Sequence, residues 1–305
     1  MFIYNPDPFL LPSFRISPFK TEFIEHNNDL QESNYDKVYF DNKFGNNWQY
    51  TLNGREAIKL ALNHYKLDRT DLVTILTTSN NFYISSCVTK EIEQICRWNR
   101  EITAETKVIF VNHEFGYPFQ EMEDLKKMNI PIIEDCCTTF FSQDKNDKIG
   151  KYGDFSIYSF PKFFPIQIGG LIVKNVDDFN NRSSLITFEE ERYIKNVLSD
   201  SLQNEQKLLL QRKENFEFAF SQLSELGFTL RFETKEKIVP SVLLLNNNNI
   251  IKDLSSAKEY LFKHGIQCSV FYGEDAFFIP NHQNLSRAEM IYISECIKNY
   301  IKINL

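Results

Sequence analysis

Short apolar runs alternate with amphipathic stretches through the first half of this chain, and each run breaks off in a polar cluster. The runs are Leu72–Leu76, Lys107–Val111, Ile130–Ile133, Phe155–Phe160 and Leu171–Val173. Between them, Val88, Ile92, Ile95 and Cys96 recur at helical spacing, predicting a helix from about Ser85 to Trp98, and a second helix is expected over Gln120–Met128. Strands alternating with helices across short loops predict an α/β fold, a mostly parallel sheet sandwiched by helices. Ligands of such sheets bind at the carboxyl ends of the strands, so the polar clusters there are the candidate site residues.

Two of these strand ends carry complementary chemistry. Ile132-Ile133 runs into Glu134-Asp135, and the run ending at Phe160 is followed by Pro161-Lys162 and then Gly169-Gly170. A strand-end carboxylate and a nearby lysine are the parts a pyridoxal phosphate (PLP) site needs. The amine condenses with the cofactor's aldehyde, and the carboxylate keeps the pyridine nitrogen protonated. Upstream, Asn53-Gly54 opens a helix with Ala57, Ile58, Leu60, Ala61 and Leu62 on its apolar face. Its free N–H groups and positive dipole end can hold an anion, although a simple capped helix has the same appearance. Phe82 and Tyr83 follow the Thr77–Asn81 strand-end loop, where an aromatic ring stacks on a flat ligand or packs in the core. His113, beside Asn112 and Glu114, reads as a hydrogen-bonded loop residue before it reads as a catalyst.

The 305 residues allow two domains. With a net charge of −7 and both signs interspersed, no basic face for nucleic acid is visible. The six cysteines include no CxxC pair, and Cys136-Cys137 are adjacent, which suits neither a metal clamp nor a disulfide. Reduced thiols, no basic leader and no apolar run of membrane-spanning length make a cytoplasmic protein the expectation, with no metal and no membrane partner.

Residues 1–35 read as an irregular N-terminal arm, of the kind that lies across a partner subunit or packs loosely. Residues 36–182 form the large domain. The charged, periodic stretch 183–226 reads as a connection of one or two helices. A smaller α+β domain follows at 227–305, with a strand at Val242–Leu245, a helix at Ser255–His264 closed by Gly265, a strand at Cys268–Tyr272 and a last helix at Ala288–Ile301.

Together NGREAIKLAL, VNHEFGYPFQEMEDL, PIIEDCCTTF, GKYGDFSIYSFPKFFPIQIGGLIV and HGIQCSVFYGEDAFFIPNHQNLS resemble the DegT/DnrJ/EryC1/StrS family of PLP-dependent sugar aminotransferases. The resemblance implies the type I PLP-transferase fold, PLP as cofactor, a nucleotide-linked keto-sugar as substrate, glutamate as amino donor and a homodimer. It assigns Lys162 to the cofactor's aldehyde carbon and Asp135 to the pyridine nitrogen. Gly54 and Arg55 would offer backbone N–H groups to the phosphate, with Ser159 adding a hydroxyl; Phe82 or Tyr83 would stack on the ring, and Thr138 would lie near its hydroxyl. The chain also departs from the family: Ser159 and Lys162 are closer together, Ile168 replaces an acid, the segment after Val173 is short, and no Gly-x-Asn-x-Arg stretch follows it. Those departures keep two alternatives open, a PLP-dependent sugar dehydratase or other elimination enzyme and a degenerate member without catalysis. A retained lysine favours amino transfer over elimination.

Overall fold

The computed structural model of the chain describes residues 3, 12–176 and 185–304. Its larger sheet contains β1 (Trp48–Thr51), β2 (Leu72–Thr77), β3 (Arg97–Asn99), β4 (Thr106–Asn112), β5 (Ile132–Asp135), β6 (Phe155–Ser159) and β7 (Gly170–Lys174). The spatial order is β1-β7-β6-β5-β4-β2-β3. Pairings from β3 through β6 are parallel, and β7 runs antiparallel to both β6 and β1. The mostly parallel sheet expected from the alternating pattern is therefore present, closed at one edge by two antiparallel pairings.

Both faces of this sheet are buried, which explains why its strands are apolar almost throughout. Ile109 and Val111 of β4 pack into one core with Phe40 and Ile194, while Val108 and Phe110 pack into another with Ile58, Leu62 and Val88. The first face is covered by α2 (Tyr35–Phe44), α5 (Met122–Lys126) and α6 (Phe188–Gln203), the second by α3 (Gly54–His64) and α4 (Ser86–Glu93). Period-two alternation thus divides one strand between two cores.

The second sheet comprises β8 (Thr229–Leu230), β9 (Val242–Asn246), β10 (Ser269–Val270) and β11 (Ala276–Pro280), ordered β10-β11-β9-β8 and antiparallel throughout. It packs against α7 (Glu205–Ser224), α8 (Leu254–Lys263) and α9 (Arg287–Ile303) through Phe216, Leu223, Leu261, Ile293 and Ile297. Its central strand β11 is buried at every position and carries no alternation, so it is not marked out in the sequence.

Several local expectations change. Residues 94–99 leave the helix expected to Trp98: α4 stops at Glu93, and Arg97–Asn99 joins β2 as an edge strand, with the Arg97 N–H donating to the Asp71 carbonyl. The strand expected at Cys268–Tyr272 shrinks to Ser269–Val270. The stretch after residue 183 forms two helices that meet at Asn204, and its start, with the boundary at 182, lies outside the described residues. The arm is not irregular throughout, because α1 (Phe23–Asp29) lies inside it. Residues 12–20 are tied to the segment between α8 and β10 and to α9 of their own chain. Ser13 and Phe14 N–H groups donate to the Gly265 carbonyl, Gln267 N–H donates to the Phe14 carbonyl, and Lys20 pairs with Glu289 at 2.8 Å. Positions 4–11 of the arm lie outside the described residues.

The glycine pair before β7 has a steric origin. Gly169 has φ +102°, and a Cβ there would lie 2.8 Å from Phe160. At Gly170 a Cβ would lie 2.8 Å from both Asn53 and the Tyr158 carbonyl oxygen. The chain returning from the lysine turn passes too close to its neighbours for any side chain.

Candidate active site

The carboxyl ends of β4, β5 and β6 open into a cavity of about 430 Å3, within the range of small-molecule sites. Asn112, Asp135, Ser159 and Lys162 line it from the large sheet, together with Gly54 and Arg55 at the start of α3. Ser241, Gln267 and Phe278 line it from the second sheet's side, and Ile16 from the arm.

Glu134 and Asp135 are adjacent in sequence but separate in role, because successive strand residues point to opposite faces. Glu134 is fully buried and accepts from the N–H groups of Gly150, Tyr152 and Gly153 at 2.7–3.0 Å. Its second contact is His113 Nε2 at 3.2 Å, while His113 Nδ1 accepts from the Phe119 N–H. His113 is therefore a buried, fully engaged loop residue. His113, Glu134 and Cys136 place possible ligand atoms within 4.8 Å of one another, but these hydrogen bonds already occupy the imidazole and the carboxylate.

Asp135 faces the cavity while only 4% exposed. Asn112 Nδ2 donates to its Oδ2 at 3.0 Å, and the Cys137 N–H donates to Oδ1 at 3.0 Å. Burial pushes its carboxyl above the ordinary range, opposed by the hydrogen bond from Cys137 and by the positive charge of Lys162. A buried acid whose ionised form needs a cation is matched to a protonated ring nitrogen. Lys162 closes a single helical turn, Phe160–Lys162, directly after β6, and lines the same cavity. Its carbonyl faces the buried Arg212 guanidinium at 3.5 Å, which also donates to the carbonyls of Pro240 and Ser241.

At the start of α3 the Asn53 side chain accepts from the Glu56 N–H at 3.1 Å, the cap expected from Asn53-Gly54. The cap leaves the Gly54 and Arg55 N–H groups without an intrahelical acceptor at the cavity wall. A Cβ on Gly54 would lie 3.2 Å from Cys137 Sγ and 3.4 Å from Ser159 Cβ, so the helix start seats closely on the strand ends. Ser159 thus lies beside the anion-ready helix terminus.

Tyr83 lines the cavity, its ring packed among Phe115, Phe271 and Phe278. Phe82, the other stacking candidate, is a correction: it is 76% exposed and absent from the cavity wall. The Asn81 side chain accepts from the Tyr83 N–H at 2.6 Å, a turn that brings Tyr83 inward while Phe82 faces solvent. Thr138 lines the cavity with its hydroxyl already engaged, donating to the His113 carbonyl and accepting from the Phe115 N–H. Ser241, Gln267, Phe278 and Ile16 carry no signal in the sequence, since no local pattern marks residues brought in by a second layer and an arm.

These parts fit a flat, phosphorylated cofactor: a buried acid and a lysine on one cavity, beside a capped helix start with free N–H groups. The fold is the type I fold of PLP-dependent transferases. It is shared with an aminotransferase, TlmJ, from Streptoalloteichus hindustanus, at TM-score 0.73 and 14% identity over 96% of this chain and 100% of that one. A sugar aminotransferase from Streptococcus pneumoniae in its PLP-form superposes at TM-score 0.61, with 16% identity over 99% of this chain and 100% of the other. Residues 93–189 match the model of the DegT/DnrJ/EryC1/StrS aminotransferase family. A GDP-perosamine synthase of Escherichia coli O157:H7 is 32% identical over 162 residues, 45% of this chain and 44% of that protein. A UDP-4-amino-4,6-dideoxy-N-acetyl-beta-L-altrosamine transaminase of Campylobacter jejuni is 34% identical over 79 residues, 24% of this chain and 21% of the other. The chain matches less than half the length of either curated relative.

Proposed function

We propose that the chain is a PLP-dependent aminotransferase acting on a nucleotide-linked keto-sugar, with glutamate as amino donor. The observation that carries this reading is the convergence of Asp135, Lys162 and the start of α3 on one cavity. Both curated relatives bear the names of enzymes that make amino sugars on a nucleotide, which supports the substrate class.

When bound, PLP supplies an electron sink that stabilises negative charge at a carbon attached to nitrogen. The protein's residues do the rest. Asp135, held by Asn112 and the Cys137 N–H, keeps a proton on the ring nitrogen. The Gly54 and Arg55 N–H groups and the α3 dipole hold the phosphate, with Ser159 beside them. Lys162 would hold the cofactor's aldehyde carbon and, as a free amine, would move a proton at the donor's α-carbon. Tyr83 and Thr138 form the walls against the ring.

Reduction with borohydride after loading with PLP, followed by peptide mapping, tests the site assignment. The expected adduct is on Lys162, and an adduct on another lysine, or none, removes the catalytic reading. Formation of pyridoxamine phosphate on adding glutamate separates amino transfer from elimination. No helix among the described residues is long and apolar enough to cross a membrane. All six cysteines are free, which supports a reducing, cytoplasmic setting. The homodimer implied by the family is proposed as well, with the exposed rings of Phe82 and Phe188 available for a second copy to cover; light scattering tests it.

A further inference from the structure

Glu114 takes no part in the chemistry above, yet it is a carboxylate in the cavity wall and only 2% exposed. Its Oε2 accepts from the Ser79 N–H at 2.7 Å and the Ser79 hydroxyl at 2.9 Å. Its Oε1 accepts from Asn81 Nδ2. Asn81, itself 2% exposed, uses the other end of its amide to accept from the Tyr83 N–H at 2.6 Å. Arg231, near the second sheet, donates to the Ser79 hydroxyl at 3.2 Å and pairs with Glu274. Arg100 donates to the Asn81 carbonyl at 2.8 Å.

We infer that Glu114 is a positioning residue of this site: acting through the Asn81 amide, it sets the place of the Tyr83 ring in the cavity wall. The argument is one of donors and acceptors. A carboxylate can only accept, so it fixes Asn81 with its NH2 toward Glu114 and its oxygen toward Tyr83. That orientation is the one that leaves an oxygen for the Tyr83 N–H. Replacing Glu114 by Gln sets an NH2 against the NH2 of Asn81 while the Gln oxygen stays on Ser79. Relief requires the Asn81 amide to flip, and the flip turns a donor toward the Tyr83 N–H, which then has no acceptor. A substitution two links away thus releases the ring without touching it.

The same logic defines a rescue. In Glu114→Gln/Asn81→Asp, the new Asp accepts from both the Gln NH2 and the Tyr83 N–H, and the chain of hydrogen bonds is restored with donor and acceptor exchanged. Asn81→Asp alone sets two carboxylates against each other and disturbs the turn.

The test uses the full chain with 3-fluorotyrosine incorporated at position 83 and followed by 19F NMR without cofactor. Glu114→Gln is expected to shift and broaden the resonance, Asn81→Asp to do likewise, and the double variant to return it to the wild-type position. A second arm titrates PLP by absorbance. Glu114→Gln weakens binding about tenfold, the worth of one hydrogen bond to a charged group, and the double variant recovers to within about twofold, the ordinary limit of additivity. Should Glu114→Gln fail to fold, Asn81→Asp compared with the double variant makes the same comparison. An unmoved resonance in Glu114→Gln, or a double variant no better than its parents, overturns the inference. The affinity arm rests on the proposed cofactor. If the wild type binds no PLP, that functional reading fails while the fluorine arm still decides the role of Glu114.

Discussion

His282 should make this protein acid-labile in a defined window. The side chain follows β11 and is 1% exposed. Its Nδ1 accepts from the Asn284 N–H at 3.2 Å, and its Nε2 lies 3.1 Å from the Arg15 carbonyl, so the neutral ring with hydrogen on Nε2 satisfies both neighbours. A second proton would set Nδ1–H against Asn284 N–H in a buried place that already holds the Arg212 charge. Burial, with Arg212 and Lys20, accordingly lowers its pKa from 6.5 to about 3. The sign follows from linkage. Below pH 6.5 the unfolded chain takes up a proton that the folded chain refuses, so stability falls as pH drops from 6.5 toward 3 and is flat above. At pH 5 the two states differ by about 1.5 pH units of unmet proton binding, or roughly 2 kcal/mol. The assay is urea unfolding of the wild type and of His282→Gln at pH 7 and pH 5. Gln can still accept from Asn284 and donate toward Arg15, but it does not titrate. The wild type is expected to lose about 2 kcal/mol more than the variant between the two pH values. Parallel losses in the two proteins would refute the reasoning.

Three further outcomes are expected. Glu134→Gln leaves its oxygen on the Tyr152 and Gly153 N–H groups but sets an NH2 against the Gly150 N–H at 3.0 Å, and should cost about 3 kcal/mol in urea unfolding. Gly116→Ala places a Cβ 2.4 Å from the Val239 carbonyl oxygen at φ +104°, and should destabilise by about 2–4 kcal/mol in thermal unfolding. Asp135→Asn removes the charge but keeps the shape. PLP binding should weaken about 10- to 100-fold by absorbance titration, with the melting temperature held or raised because a buried charge is lost.

Much of the site was legible because strand ends are legible. An apolar run that stops at Glu134-Asp135, another that stops at Pro161-Lys162, and a glycine after Asn53 are local signals, and the parallel sheet brings their carboxyl ends to one edge. The division of labour within the acidic pair follows from strand alternation, but which face meets the cavity does not. Phe82 and Tyr83 have the same composition signal and neighbouring positions. Only the turn made by the Asn81 side chain sends one ring inward and the other into solvent.

The sequence by itself determined the alternation of strands and helices, the capped start of α3, the lysine turn and its glycine pair, because each is set by contacts or dihedral limits within a few residues. Tertiary structure decided what faces them. The second sheet contributes Phe278, the segments leading into its strands contribute Ser241 and Gln267, and the arm contributes Ile16, from more than a hundred residues away in either direction for some of these pairs. It also decided that Glu134 turns into the scaffold while Asp135 faces the cavity, and that the buried Arg212 reaches the Lys162 carbonyl. These outcomes depend on which surfaces pack together to exclude water, and no local pattern encodes that choice.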